Sequence, residues 1–217
     1  MCGIGGGTEG GAGLKMRDLS QQRLCIATHN QGKLDEFAAL LAPFNVDVVS
    51  AAHLGLSEPP EDQPTFVGNA RIKAHAAATA CGLPALADDS GLCVDALRGR
   101  PGVRTADWAA GPTGRDFVRA MTRVWADVEA AAAPKPRRAH FHCTLVLAWP
   151  DGVEAIFEGK VHGHIVWPMR GVLGHGYDPI FQPDGHALTF GEMDRSQKNL
   201  ISHRANAFAM LVDGCFT

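Results

Sequence analysis

Nothing in this 217-residue sequence approaches the ~20 consecutive apolar residues of a membrane span. The longest uncharged stretch, Ala74 to Ala87, is broken by His75, Gly82 and Pro84, so the expectation is a soluble cytoplasmic protein with no membrane partner. The six cysteines are widely spaced. Cys2, Cys25, Cys81, Cys93, Cys143 and Cys215 include no CxxC pair, which argues against a zinc knuckle or a disulfide framework and leaves buried free thiols as the default. Charge of one sign is lacking too. With 20 Lys and Arg against 23 Asp and Glu the net charge is -3, so no general field attracts nucleic acid and an anionic ligand must be held by local cations. The first 22 residues lack apolar periodicity and are rich in glycine. They read as a disordered tail (1–22) ahead of one folded domain (23–217). The tail has no apolar signal-peptide core, and Met16 could serve as the start of translation. Its Gly5, Gly7 and Gly10 fit G-x-G-x-x-G, but no strand precedes them and no helix follows, so a dinucleotide site is not expected.

What is present is a chain of regular elements. Arg23 to Thr28 is a short apolar, β-favouring run that ends in a polar loop. From Lys33, the spacing of Leu34, Phe37, Leu40 and Leu41 predicts a helix stopping before Pro43. Val46 to Val49 returns as a strand, the proline-rich, acidic Ser57 to Pro64 is a loop, and alanine-rich Val67 to Cys81 is a second helix ended by Gly82. Ala85 to Val94 reads as strand, turn and strand, with Asp88, Asp89 and Ser90 at the turn. A helix over Asp116 to Ala132 and a hairpin of His140 to Trp149 with Val153 to Val161 follow. An amphipathic segment carrying Ile201, Ala205, Phe208 and Val212 on one face closes the chain. Alternating strands and helices followed by a hairpin predict an α/β fold with a mixed sheet.

Three clusters carry chemistry. Thr28, His29, Asn30, Gln31, Gly32 and Lys33 form a polar strand-to-helix turn with a cation at the helix start. Exposed N–H groups and the helix dipole suit such a turn to phosphate, although many such turns are only connectors. It is not a P-loop, because the Gly-Lys-Ser/Thr ending is missing. Asp88 and Asp89 are adjacent acids at the end of an apolar run. Strand side chains alternate, so at most one of the two faces a given site squarely. Such a carboxylate can hold Mg²⁺ or take a proton from water, or else it only caps a turn. Glu61 and Asp62 in the acidic loop could complete a metal site or be solvated charges. Third come Gly174 to Pro179, then Lys198 and Ser202, His203 and Arg204. On one continuous helix Lys198 and Arg204 would lie about 240° apart, so serving one site requires a break, with Ser202 as the N-cap of a restarted helix.

Taken together, ATHNQGKLDEF (27–37), TFVGNARIKA (65–74), ALADDSGLCVDAL (85–97), RPGVRTA (100–106), GHGYDPIF (174–181) and TFGEMDRSQKNLISHRANAF (189–208) resemble the inosine triphosphate pyrophosphatase family, also called Ham1-like. The resemblance runs in matching order from Leu24 to the C-terminus. It implies a long mixed sheet with flanking helices, two lobes around a central cleft, a fold related to Maf-like proteins, and a homodimer. It also implies an Mg²⁺-dependent hydrolase that cuts ITP, dITP or XTP to the monophosphate and pyrophosphate. Carried over by position, Thr28 to Lys33 would hold phosphates, Asp89 would be the metal-binding catalytic acid or base, Ser90 would touch the nucleotide and Glu61 would help bind Mg²⁺. His175, Gly176, Tyr177, Asp178, Lys198, His203 and Arg204 would line the base pocket. Two positions depart from the family pattern. Gly68 stands where a glutamate is usual, and His175 stands where a phenylalanine is usual.

Other readings compete with this one. A Maf-like nucleotide hydrolase is disfavoured by Ser202-His203-Arg204 and Asp88-Asp89-Ser90-Gly91, and a non-catalytic nucleotide-binding regulator is encouraged only by Gly68. His140 with His142, and His162 with His164, have i, i+2 spacing suited to zinc, but no third ligand is placed by spacing. The four tryptophans read as core or interface packing.

Overall fold

The computed structural model describes residues 17–112 and 114–216. Strand β1 (Arg23–Ile26) leads through the turn into helix α1 (Gln31–Leu41), and β2 (Asp47–Ser50) returns parallel to β1. Helix α2 (Phe66–Cys81) starts at Thr65, whose side chain accepts from the Gly68 N–H, and stops at Gly82 in the left-handed conformation. Next come β3 (Ala85–Val94), α3 (Thr105–Ala109), the small hairpin β4 (Ala110–Gly111) and β5 (Gly114–Arg115), and α4 (Phe117–Ala130). The long hairpin β6 (Arg137–Ala148) and β7 (Glu154–Ile165) is followed by β8 (Phe181–Pro183), α5 (Arg195–Ile201) and α6 (His203–Cys215). Six strands form one sheet in the order β2-β1-β3-β6-β7-β8, parallel in its first three strands and antiparallel beyond.

The expected turn inside Ala85 to Val94 is absent. β3 is one ten-residue strand, paired with β6 from Ala85↔Ala148 through to Val94↔Ala139. Two adjacent acids in a sheet centre look like a turn by propensity, but here the cations Lys33 and Arg204 neutralise buried Asp88, so the strand runs through. The boundary expected at residue 22 also moves. Leu19 is fully buried against Leu24, Phe208 and Cys215, its N–H donates to the Cys215 carbonyl at 2.8 Å, and Arg17 pairs with Asp151. A single leucine has no periodic partner, so nothing in the pattern around it reports docking. The rest of the expected tail, residues 1–16, lies outside the described residues.

Apolar side chains gather in three places around this sheet. Leu24, Ile26, Leu145 and Leu147 meet α1 and α6 on one face, while the alanines of α2 meet Cys25, Ala87 and Val146 on the other. A third cluster, with Met121, Val124, Phe141, Tyr177 and Phe190, binds α4 and β8 to the far end of β6. Each fully buried large side chain is worth ~1.5–3 kcal/mol of transfer free energy. The seating of α6 depends on Gly159 of β7, where a Cβ would collide with the Ala207 nitrogen and the His203 carbonyl. That close approach sets the first turn of α6 beside the sheet centre. No helix among the described residues is long and apolar enough to cross a membrane.

Candidate active site

A cavity of about 570 Å³ lies over the middle of β3, where Asp89, Ser90 and Gly91 line it. One wall is the β1–α1 turn. Asn30 caps α1 by accepting from the Lys33 N–H at 3.2 Å, and the Asn30 N–H donates to Thr28 Oγ1 at 3.1 Å. Thr28, Asn30 and Lys33 line the cavity. The remaining residues of the turn do not. His29 shares its Nε2 with the Leu56 carbonyl at 2.8 Å and faces a neighbouring cavity, and Gln31 reaches along α1 to Asp35. Gly32 lies under the opposite loop, where a Cβ on it would come 3.6 Å from His175 Nε2.

On β3 the two acids part company as strand alternation requires. Asp88 is 3% exposed and accepts from Lys33 Nζ at 2.8 Å, Arg204 Nη2 at 3.2 Å and Ser90 Oγ at 3.0 Å. Burial pushes this carboxyl up, but Lys33, Arg204 and Lys73 outweigh it and hold it far below the usual carboxylate range. Asp88 is therefore a permanent counter-ion. Asp89 faces the cavity, accepting from Asn69 Nδ2 at 3.1 Å and from the Ser90 N–H at 3.0 Å. Burial raises its carboxyl to about 6, against the pull of Lys73 and Asn69. Glu61, on the acidic loop, also raises it and takes Lys73 Nζ at 2.6 Å. The same Lys73 Nζ donates to the Asp88 carbonyl at 2.6 Å.

The far wall carries the third cluster. Asp178 is 2% exposed and accepts from Lys198 Nζ and from the His175 N–H, each at 2.6 Å. Buried Tyr177 donates to the Thr105 carbonyl at 3.0 Å, and Gly176 packs near Phe117. The chain does break at Ser202, whose hydroxyl caps α6 by accepting from the Ala205 N–H at 3.1 Å, and both Lys198 and Arg204 line the cavity. His203 lies with its ring against Phe141, centroids 4.9 Å apart and planes 15° apart. Burial first, and then the cations Arg204 and Lys198, push its pKa well below the usual value, so the ring is neutral. Arg204 gives Nη1 to Glu36 and Nη2 to Asp88, and these carboxylates outweigh its burial to hold it charged. His203 Nδ1 and Arg204 Nε are buried with no partner.

Sequence reasoning missed Asn69, Lys73, Glu36, Glu58, Arg115 and Phe117. Asn69 and Lys73 were detectable, since two polar residues one turn apart interrupt the alanine face of α2. The i, i+2 histidines sit elsewhere: His142 stacks on Phe66 at 4.8 Å and reaches Glu158 at 3.2 Å, with His140 and His162 rings 5.5 Å apart. Among the described residues no group of three or more His, Cys, Asp or Glu is placed to hold a metal ion. Asp89 with Glu61 nonetheless offers two acids whose mutual repulsion a divalent cation would relieve. Gly68 supplies no third, and a Cβ there would start 2.7 Å from Gln63 Cβ.

A mixed α/β sheet with an acid held near its titration range, a capped strand-to-helix turn and a cleft lined by both charged and apolar side chains defines a class of ligand site suited to a phosphorylated, partly planar molecule. The Ham1 family matches residues 24–214, and the chain belongs to it. It is 63% identical over 200 residues to the dITP/XTP pyrophosphatase of Ruegeria pomeroyi, covering 92% of this chain and 98% of that one. It is 55% identical to the enzyme of the same name from Rhodospirillum centenum, over 92% of this chain and 98% of that one. Among solved structures, a Ham1 protein from Coxiella burnetii superposes with a TM-score of 0.82 at 36% identity, covering 88% of this chain and 97% of that chain. The Staphylococcus aureus Ham1 protein gives 0.77 at 33% identity, over 87% and 95%.

Proposed function

We propose that this protein hydrolyses non-standard purine nucleoside triphosphates (ITP, dITP and XTP) to the monophosphate and pyrophosphate, with Mg²⁺ bound by Asp89 and Glu61. The observation that carries the reading is Asp89. Its carboxyl, raised to about 6 by burial, stands in an open cavity between a turn suited to phosphate and a pocket suited to a base. Ionised at neutral pH, Asp89 is placed both to hold the metal and to take a proton from the water that attacks the α-phosphorus. Bound Mg²⁺ supplies charge neutralisation to the polyphosphate and the leaving pyrophosphate. Lys33 and Lys73 sit beside the same acids, and the Asn30-capped start of α1 offers its N–H groups to the phosphates.

The base is read at the far wall. Both Nη groups of Arg204 are held by carboxylates, whereas His203 Nδ1 is a buried polar atom left without a partner, and hypoxanthine and xanthine bring an O6 acceptor where adenine brings an amino donor. A donor facing a donor in a buried site costs about 1–3 kcal/mol, roughly ten- to a hundred-fold or more in discrimination. The family resemblance adds a homodimer acting on the cytoplasmic nucleotide pool. The test is pyrophosphate release from ITP, XTP, GTP and ATP with Mg²⁺ or with EDTA. Release from ITP and XTP with Mg²⁺ only, lost by on the order of 10² or more in Asp89→Asn, is expected. Tight nucleotide binding without any pyrophosphate would favour the non-catalytic reading, and release of inorganic phosphate instead would move the attack to the γ-phosphorus.

A further inference from the structure

The cavity is rich in cations, yet nearly all of its positive charge is already committed. Lys33 is held by Asp88, Lys73 by Glu61, Lys198 by Asp178, and Arg204 by Glu36 and Asp88. Arg115 differs. It lines the same cavity from β5, is exposed, and among the described residues makes no ion pair or side-chain hydrogen bond. Nearby acids are spoken for: Asp116 turns its carboxylate to the Arg119 N–H of its own helix at 2.9 Å, and Asp107 pairs with Arg104 at 3.1 Å. Stability does not explain a cation here either, because Arg115 directly precedes the N-cap of the 14-residue α4, at the end of the helix dipole that disfavours positive charge. The hairpin that carries it is anchored, since the Asp116 N–H donates to the Ala109 carbonyl at 2.7 Å and the Arg119 guanidinium reaches the Ala110 carbonyl. The backbone is held, and the guanidinium is left to find an anion.

Resting on the nucleoside triphosphate reading above, we propose that Arg115 is the substrate-binding cation for the polyphosphate chain, supplying the forked donor that the committed lysines do not. A triphosphate brings about four negative charges into a cavity whose own charges largely cancel, so a guanidinium free to swing over it strengthens binding by bidentate contact.

The test uses the full chain with Arg115→Ala and Arg115→Lys. Inorganic tripolyphosphate titrated calorimetrically should bind Arg115→Ala about tenfold more weakly than wild type, with Arg115→Lys between them. In turnover of ITP, KM should rise by a similar factor with kcat within about twofold, and the salt dependence of KM should flatten. An unchanged tripolyphosphate Kd in Arg115→Ala overturns the assignment, as does a fall in kcat at constant KM. The binding arm needs no turnover. A wild type that binds tripolyphosphate through Arg115 but releases no pyrophosphate from any purine triphosphate would refute the hydrolase reading and leave this one standing.

Discussion

Asp88 and Asp89 are neighbours of the same chemical type, and the structure assigns their charges opposite effects on stability. The Asp89 carboxyl is raised from 3.8 to about 6. Its contribution is therefore fully present below about 4 and lost as pH rises through about 6, so at pH 8 the ionised group opposes folding. A shift of roughly 2 units corresponds to at most ~3 kcal/mol. Asp89→Asn removes that charge, and in a domain of this size, at ~2–4 °C per kcal/mol, melting should rise by up to roughly 6–12 °C. Asp88 is shifted the other way, so its stabilisation is present above its unfolded value and lost only in strong acid. Asp88→Asn leaves Lys33 and Arg204 facing a neutral amide in a buried site, a loss of ~3–5 kcal/mol. The assay is thermal and urea unfolding of both variants at pH 8 in EDTA, repeated with Mg²⁺. Added Mg²⁺ should raise wild type toward Asp89→Asn by mass action while moving the variant little. An Asp89→Asn protein less stable than wild type in EDTA, or an Asp88→Asn protein of unchanged stability, would refute the division of roles.

Two further outcomes are expected. Leu19→Ala should cost ~2 kcal/mol or more in urea unfolding because it empties a fully buried position, whereas deleting residues 1–16 should leave the melting temperature within error. Arg204→Ala should lower kcat/KM for ITP and ATP together, along with stability, because both its Nη groups hold carboxylates; His203→Ala should instead narrow the ITP to ATP ratio. A ratio narrowed by Arg204→Ala alone would put base reading on its guanidinium.

Legibility of the fold followed periodicity. The α1 and α2 helices, the β6–β7 hairpin and the break at Ser202 were readable because each carries a local signature: a 3.6-residue stripe, alternation about Pro150-Asp151-Gly152, or a hydroxyl before a helix start. Where local propensity and tertiary charge conflict, the sequence misleads. β3 looked interrupted because two acids are poor strand residues, and only the cations delivered from α1, α2 and α6 make an unbroken strand affordable. Leu19 was invisible for the opposite reason, being one contact with no pattern.

The site divides along the same line. The residue types that do chemistry were visible in their motifs, but which of them are free to act was not, since that depends on pairings across as many as 168 positions, the separation of Glu36 and Arg204. Arg204 looked like a free base-reading donor in sequence and is held at two of its nitrogens in the fold. Arg115 belongs to no motif in the sequence and is the cation lining the cleft that no described acid neutralises. In a cavity whose other cations are paired with acids, occupancy rather than residue type decides function. On the proposed reading a polyanion is drawn first to the charge with nothing already on it, and only then to Lys33, which Asp88 already holds, and to Lys73, whose partner Glu61 the metal would share.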